Sequence, residues 1–326
     1  MIRPLQPIRF QPVFRSYLWG GQRLATRLGK TLPDDGVWAE SWEIVDHREA
    51  ESTVASGPFA GWTLRRLIET FPTEMLGQNT PNERFPLLLK YLDCQRVLSV
   101  QVHPNDAYGM QMPQPDRGKT EAWYVIDAEP DAVLYAGLRS GVTRRDLETA
   151  IQHGSTEDCL HVLKPKAGDC VFIPAGTLHA LGAGLVVAEI QQSSDCTFRL
   201  FDWNRVDKDG QPRPLHIQQA LEVIDFESGP VDFVSRLPTS TQHESLLVDC
   251  DKFRLLESRS TSPILLPLNQ FCIVTLPRGS GVIRSSGEEW LLERGHSVLI
   301  PHACDDATLQ LADDSIALIA TPPIAV

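Results

Sequence analysis

The chain has 326 residues, 42% of them hydrophobic and 22% charged, enough for a large core and for more than one lobe. A formal charge of −12 argues against nucleic acid as a partner, because backbone binding needs a basic surface, whereas a few local cations suffice for a small phosphorylated ligand. No run of about 18 uncharged apolar residues offers a membrane span, and the opening MIRPLQPIRFQPVF lacks the continuous apolar core of a signal peptide.

The first helix signal is Thr63, a cap candidate followed by Leu64, Leu67, Ile68 and Phe71 at i, i+3, i+4 and i+7 spacing. In VLSVQVHP, Leu98, Val100 and Val102 alternate with Ser99, Gln101 and His103, so period 2 predicts a strand presenting the second set on one face. GKTEAWYV repeats the pattern, with Lys119, Glu121 and Trp123 sharing a face. Thr143 and Asp146 then predict a capped second helix with Leu147, Ala150 and Ile151 inward and Gly154 as its stop. GDCVFIP (168–174) reads as an apolar strand ending at a proline, and PAGTLHAL carries His179 just beyond it.

In LVVAEIQQ, Val187, Glu189 and Gln191 fall on one face and Val186, Ala188 and Ile190 on the other. In TFRLFDW, Thr197, Arg199 and Phe201 share a face opposite Phe198 and Leu200. A hairpin across QSSD would aim Glu189 and Arg199 into one cavity, where a guanidinium would keep the carboxylate ionised. Arg199 also suits an ion pair with Asp195 or Asp202. Ile217, Ala220, Leu221 and Ile224 mark a third helix, and all three apolar helix faces are expected to pack on the sheets. Most of the remaining chain reads as short strands punctuated by Gly and Pro, the pattern of an antiparallel barrel or sandwich.

Gln101, His103, Glu121 and His179 supply an amide oxygen, two imidazoles and a carboxylate, ligands suited to a divalent metal and to zinc above all. The other seven histidines fit no ligand pattern. Seven cysteines, an odd number with no CxxC, read as reduced and mostly buried thiols of a cytoplasmic protein, with Cys170 in the core. GHSVLIP (295–301) echoes GDCVFIP, but where the first copy continues to His179 the second has Asp306. A duplicated β-unit in which only the first copy kept its histidine accounts for this, with the boundary in the loop-like GPVDFVSRLPTSTQHES.

The pattern Gly168-x5-Pro174-x-Gly176-x2-His179 resembles the second cupin motif, in which a hairpin delivers a histidine to a metal. FPLLLKYLDCQRVLSVQVHPND (85–106), GKTEAWYV (118–125) and EIQQSSDCTFRLFDWNR (189–205) resemble type I mannose-6-phosphate isomerases. WGG (19–21) and AESWEI (39–44) are similar to the same family, so the likeness runs through about the first 220 residues. The short chain is similar to the family's compact bacterial branch.

The resemblance implies a mainly β fold: a cupin-type jelly-roll barrel with a few helices, then a smaller degenerate cupin-like β lobe. It places the metal-binding catalytic domain at 1–240 and a lobe without metal ligands at 241–326. It implies an enzyme with one zinc ion per chain that interconverts D-mannose 6-phosphate and D-fructose 6-phosphate through a cis-enediol(ate). Carried over by position, the metal ligands are Gln101, His103, Glu121 and His179. The catalytic groups are Arg199, Lys119 and the carboxylate Glu189, while Lys90 and Ser99 bind substrate, Ser99 at the phosphate. The expected partner is a small phosphorylated sugar, with no nucleic acid or membrane, for a cytoplasmic monomer or homodimer. Two other classes remain on the same scaffold: a metal-cupin oxygenase and a non-catalytic sugar-phosphate-binding protein.

Overall fold

Runs that are apolar at consecutive positions, such as Leu87–Cys94 and Leu185–Gln192, become strands buried along their whole length, because both faces of their sheet are covered. The computed structural model describes residues 5–77, 84–206, 210–239, 243–267 and 269–323. Leu87–Cys94 and Leu185–Gln192 lie at the centre of a six-stranded sheet ordered Cys170–Ile173, Glu121–Ala128, Leu185–Gln192, Leu87–Cys94, Glu40–Ile44, Val13–Arg15. Facing it is a five-stranded sheet ordered Leu160–Leu163, Leu134–Leu138, His179–Leu181, Val100–Val102, Phe198–Phe201. Strands in both pair antiparallel. Leu134 and Leu181 from the smaller sheet, with Leu98 just before its strand Val100–Val102, meet Leu92, Trp123 and Val187 from the larger in one apolar cluster. These facing sheets are the expected cupin-type, mainly β fold.

The far face of each sheet is covered differently. Val100 and Val102 turn outward onto Leu147 of the helix Arg144–His153 and Ala220 of the helix Ile217–Val223. Thr143 and Asp146 form the expected capping box, and Gly154 ends that helix in the left-handed region at φ 69°. Thr63 caps Leu64–Thr70 through Oγ1. That helix stops one residue short of the expected Phe71, because Pro72 follows, disfavours helical backbone at the residue before it, and opens its own helix Pro72–Leu76. Ile224 likewise lies just outside its helix, as the C-cap. Three short helices, Arg23–Leu28, Pro72–Leu76 and Asp106–Gly109, carry too few residues to show a helical period in the sequence.

Val186, Ala188 and Ile190 face away from the site and pack on Leu255, Ile273, Leu318 and Ala320 of a second six-stranded sheet. That sheet is ordered Leu237–Pro238, Glu244–Asp249, Arg254–Ser258, Ile316–Thr321, Cys272–Arg278, Ser297–Ile300. Through Val274 and Val298 it also packs on Ile283 and Leu309 of a four-stranded sheet, so the C-terminal strands again form two facing sheets. The two GxxVxIP copies become the strands Cys170–Ile173 and Ser297–Ile300, each preceded by a positive-φ glycine, Gly168 or Gly295. Asp306 accepts hydrogen bonds from Ser285 Oγ and the Ser286 N–H, and so braces a turn. The expected boundary at 240/241 lies outside the described residues.

Two expectations change. The strands Leu185–Gln192 and Phe198–Phe201 do not form a hairpin, for they belong to the two opposite sheets. Between them Ser193 donates its N–H to Pro86 O and its Oγ to Asp46 O, and Ser194 Oγ donates to Arg117 O, tying down the crossing. A register shift between Arg199 and Phe201 also breaks the alternation, so Phe201 joins Phe198 and Leu200 on the outer face. All seven cysteines are free, six of them buried, with Cys170 in the core. Among the described residues no helix is long and apolar enough to cross a membrane.

Candidate metal centre

His179 lies directly opposite Gln101 in the antiparallel ladder, and His103 directly follows Val102, the last residue of the Gln101 strand, so three candidate ligands come from one sheet and the residue next to it. Glu121 reaches them from the facing sheet, where it opens its strand. The ligand atoms of His103, Glu121 and His179 all lie within 4.8 Å of one another, and all three residues are buried. The turn before His179 is fixed by Gly176, whose N–H donates to His103 O at 2.9 Å and whose φ of 90° suits glycine.

Each imidazole is oriented by the backbone. His103 donates from Nδ1 to Cys196 O and His179 from Nδ1 to Thr177 O, both at 2.9 Å, which leaves both Nε2 lone pairs on the Glu121 side. Burial, reinforced for His103 by Lys119, drives its pKa down to about 3 and lowers that of His179, so both rings are neutral, as ligands must be. Burial works to raise the Glu121 carboxyl, but Lys119, His103 and His179 hold it well below the usual range. Its Oε1 is buried, has no hydrogen-bond partner, and stands 3.4 Å from His179 Nε2. An orphaned carboxylate oxygen beside two unprotonated imidazole nitrogens fits a divalent cation. Gln101 adjoins the group with its amide nitrogen 3.3 Å from His179 Nε2 and its oxygen 3.3 Å from Ser99 Oγ; exchanging O and N by an amide flip turns the oxygen to the cluster.

Above the cluster is a cavity of about 300 Å³ lined by Ser99, Lys119, Trp123, Glu189 and Arg199 among others. Lys119 Nζ contacts His103 Nε2 at 3.0 Å, Glu189 Oε1 at 3.3 Å, and Glu121 Oε2. Lys90 Nζ stands 3.1 Å from Glu189 Oε1 and 3.6 Å from Glu40 Oε2. Glu189 therefore sits between two lysines and not, as expected, beside the Arg199 guanidinium. Burial and the nearby Glu121 nevertheless raise its pKa against the pull of both lysines. Burial works against the Lys90 charge, but Glu189 and Glu40 outweigh it and raise its pKa.

Arg199 donates from Nη1 to Pro214 O at 2.9 Å, and its buried Nε has no partner. It forms no salt bridge with Asp195 or Asp202, because Asp202 is taken by Arg205 and Arg213. Behind it, His216 Nδ1 accepts from the Arg199 N–H at 3.2 Å.

Tyr17, Trp19, Glu40 and Arg213 also line the cavity with no site role expected from the sequence, and Asp195, expected there only as an ion-pair partner of Arg199, joins them. Tyr17 and Trp19 stack with ring centroids 5.6 Å apart. Glu40 had a usable signal, since it alternates with Trp42 in AESWEI, whose Trp42 lies opposite Lys90. Trp123 lines the cavity and meets His179 edge-on at 5.3 Å, whereas Trp42 packs against Val45 and Leu88.

Fold and site together define a cupin whose neutral histidine pair and carboxylate lie at the floor of a cavity lined by cations. The family model for the catalytic domain of type I phosphomannose isomerase matches residues 8–132. Mannose-6-phosphate isomerase ManA of Bacillus subtilis (strain 168) is 35% identical over 311 residues, covering 94% of this chain and 96% of that protein. The probable mannose-6-phosphate isomerase GmuF of the same organism is 34% identical over 312 residues, covering 93% and 96%. The crystal structure of the mannose 6-phosphate isomerase from Bacillus subtilis superposes with a TM-score of 0.88 at 32% identity, covering 97% of this chain and 99% of that one. The chain belongs to the type I phosphomannose isomerase family, and it is an enzyme.

Proposed function

We propose that this protein is a zinc-dependent isomerase interconverting D-mannose 6-phosphate and D-fructose 6-phosphate through a cis-enediol(ate). The observation that carries the reading is the buried His103–Glu121–His179 cluster opening onto a cavity where Glu189 lies between Lys90 and Lys119. Gln101, His103, Glu121 and His179 would hold the zinc, which supplies a Lewis acid for the sugar's C1 and C2 oxygens.

The remaining work falls to side chains of this chain. Glu189 takes the proton from C2 and returns it to C1, while a proton passes from O2 to O1 to complete the aldose-to-ketose change. Its raised pKa makes it a stronger base than an exposed carboxylate. Lys119 and Arg199 place positive charge where the sugar oxygens become negative. Ser99 receives the phosphate and Lys90 holds the sugar near Glu189, so binding energy far from C1 keeps the reacting carbons in register. Every residue named here precedes 241, in keeping with a catalytic domain at 1–240 and a ligand-free lobe at 241–326. Seven free thiols favour the cytoplasm as its compartment.

Zinc-loaded protein incubated with mannose 6-phosphate in D₂O and followed by NMR tests the proposal. The expected result is conversion to fructose 6-phosphate, with solvent deuterium at C1 in those turnovers in which Glu189 exchanges its proton before returning it. Sugar that binds and returns unchanged supports the binding-protein reading, and turnover that consumes oxygen supports the oxygenase; either overturns the proposal.

A further inference from the structure

Lys119 and Glu121 stand on a segment that begins in the loop after Gly109 and enters the larger sheet only at Glu121, so something outside the sheet must hold its first residues. Asp106 does much of this. Its Oδ1 accepts from the Gly118 N–H at 2.8 Å and from Gln192 Nε2 at 2.9 Å. Gln192 Oε1 in turn accepts from the Thr120 N–H at 3.1 Å, and the Lys119 N–H donates to Pro104 O at 3.0 Å. The main-chain N–H groups of 118, 119 and 120 are thereby all fixed, two of them through the Asp106–Gln192 pair. The approach is close, for a Cβ on Gly118 would lie 2.5 Å from the Asp106 nitrogen.

Asp106 also faces the C-terminal lobe. Its Oδ2 pairs with Lys252 Nζ at 2.7 Å, and Lys252 lies in the turn between the strands Glu244–Asp249 and Arg254–Ser258. We infer that Asp106 and Gln192 form a positioning clamp, anchored to the C-terminal lobe by Lys252, that sets the Lys119 ammonium among His103, Glu121 and Glu189. Neither residue lines the cavity, so the clamp acts on the chemical step through Lys119 and Glu121 and leaves the sugar's own contacts in place. This gives the lobe without metal ligands a part in catalysis. The inference rests on the proposed roles of Lys119 and Glu121.

The test measures kcat and KM for mannose 6-phosphate in zinc-loaded Asp106→Ala, Asp106→Asn, Gln192→Ala, Lys252→Ala and Lys119→Met proteins, with zinc release to a chromophoric chelator as a second readout. Asp106→Ala should lower kcat by about 10- to 100-fold, the usual effect of losing an outer-shell partner, leave KM within about twofold and speed zinc release. Asp106→Asn keeps the acceptor oxygen and should recover most of kcat. Gln192→Ala should match Asp106→Ala, and it decides the matter should that variant not fold. Lys252→Ala should cost about two- to fivefold, the size of a partly exposed ion pair. Wild-type kcat in both Asp106→Ala and Gln192→Ala, or no recovery in Asp106→Asn, overturns the clamp, and wild-type kcat in Lys252→Ala removes the lobe from it. Full activity in Lys119→Met would instead sink the underlying assignment.

Discussion

The rings of His103 and His179 lie with centroids 4.8 Å apart and planes 48° from parallel, each bonded through Nδ1 to a backbone carbonyl. Neither ring can turn without breaking that bond, so both Nε2 atoms are aimed at Glu121 by the fold itself. Preorganisation of this kind favours a cation that accepts two nitrogens and one oxygen.

Removing either ring should therefore remove the metal. His103→Ala and His179→Ala are expected to carry almost no zinc by atomic absorption and to turn over roughly 10²–10³-fold more slowly or worse. Stoichiometric zinc in both variants would refute the ligand assignment.

Arg199 should behave differently, because its hydrogen bonds run to Pro214 and His216 and none runs to the cluster. Arg199→Ala is expected to keep its zinc while kcat falls about 10²-fold, the scale of losing one donor to a developing oxyanion. Parallel zinc analysis and steady-state kinetics check this, and an unchanged kcat would rule out a catalytic role.

Glu257 links the two six-stranded sheets and should give a pH-dependent stability. It accepts from Tyr124 Oη at 2.8 Å, on the strand that carries Glu121, and pairs with Arg236 and Arg259. Burial works to raise its pKa, but hydrogen bonds from Arg259, Arg236 and Tyr124 bring it below the ordinary carboxylate value. A carboxyl depressed on folding stabilises above its unfolded pKa, about 4.3, and loses that contribution as pH falls through the lower folded value. Urea unfolding of Glu257→Gln should thus show a loss of about 1.5–3 kcal/mol at pH 7 that shrinks below about pH 4. An equal deficit at both pH values would contradict the ion-pair account.

Gly176 offers a backbone test near the site. At its φ of 90° an alanine is strained, and a Cβ would lie 3.1 Å from Val223 O. Gly176→Ala should lose about 1–3 kcal/mol in denaturant unfolding, and unaltered stability would show that the turn relaxes freely.

What was legible in the sequence was local. Period 2 correctly grouped Ser99, Gln101 and His103 apart from Val100 and Val102, and Glu189 apart from Val186, Ala188 and Ile190, because alternation is a property of one strand. It failed at Leu98, which precedes the strand and lines the cavity with Ser99. Pairing between strands is not. Glu189 and Arg199 share a cavity because two opposite sheets face each other, an arrangement that the same alternation permits as readily as a hairpin. The bulge that turns Phe201 outward and the distant segments that bring Tyr17, Trp19 and Arg213 to the cavity depend on three-dimensional contacts with no local signature.

The central claim is that this metal cluster drives a sugar-phosphate isomerisation. It is tested most directly by a coupled assay of mannose 6-phosphate conversion on protein stripped by a chelator and then reloaded with zinc. The expected result is that turnover disappears on stripping and returns in proportion to zinc bound, up to one ion per chain. Undiminished turnover in metal-free protein, or none in fully loaded protein, would contradict it.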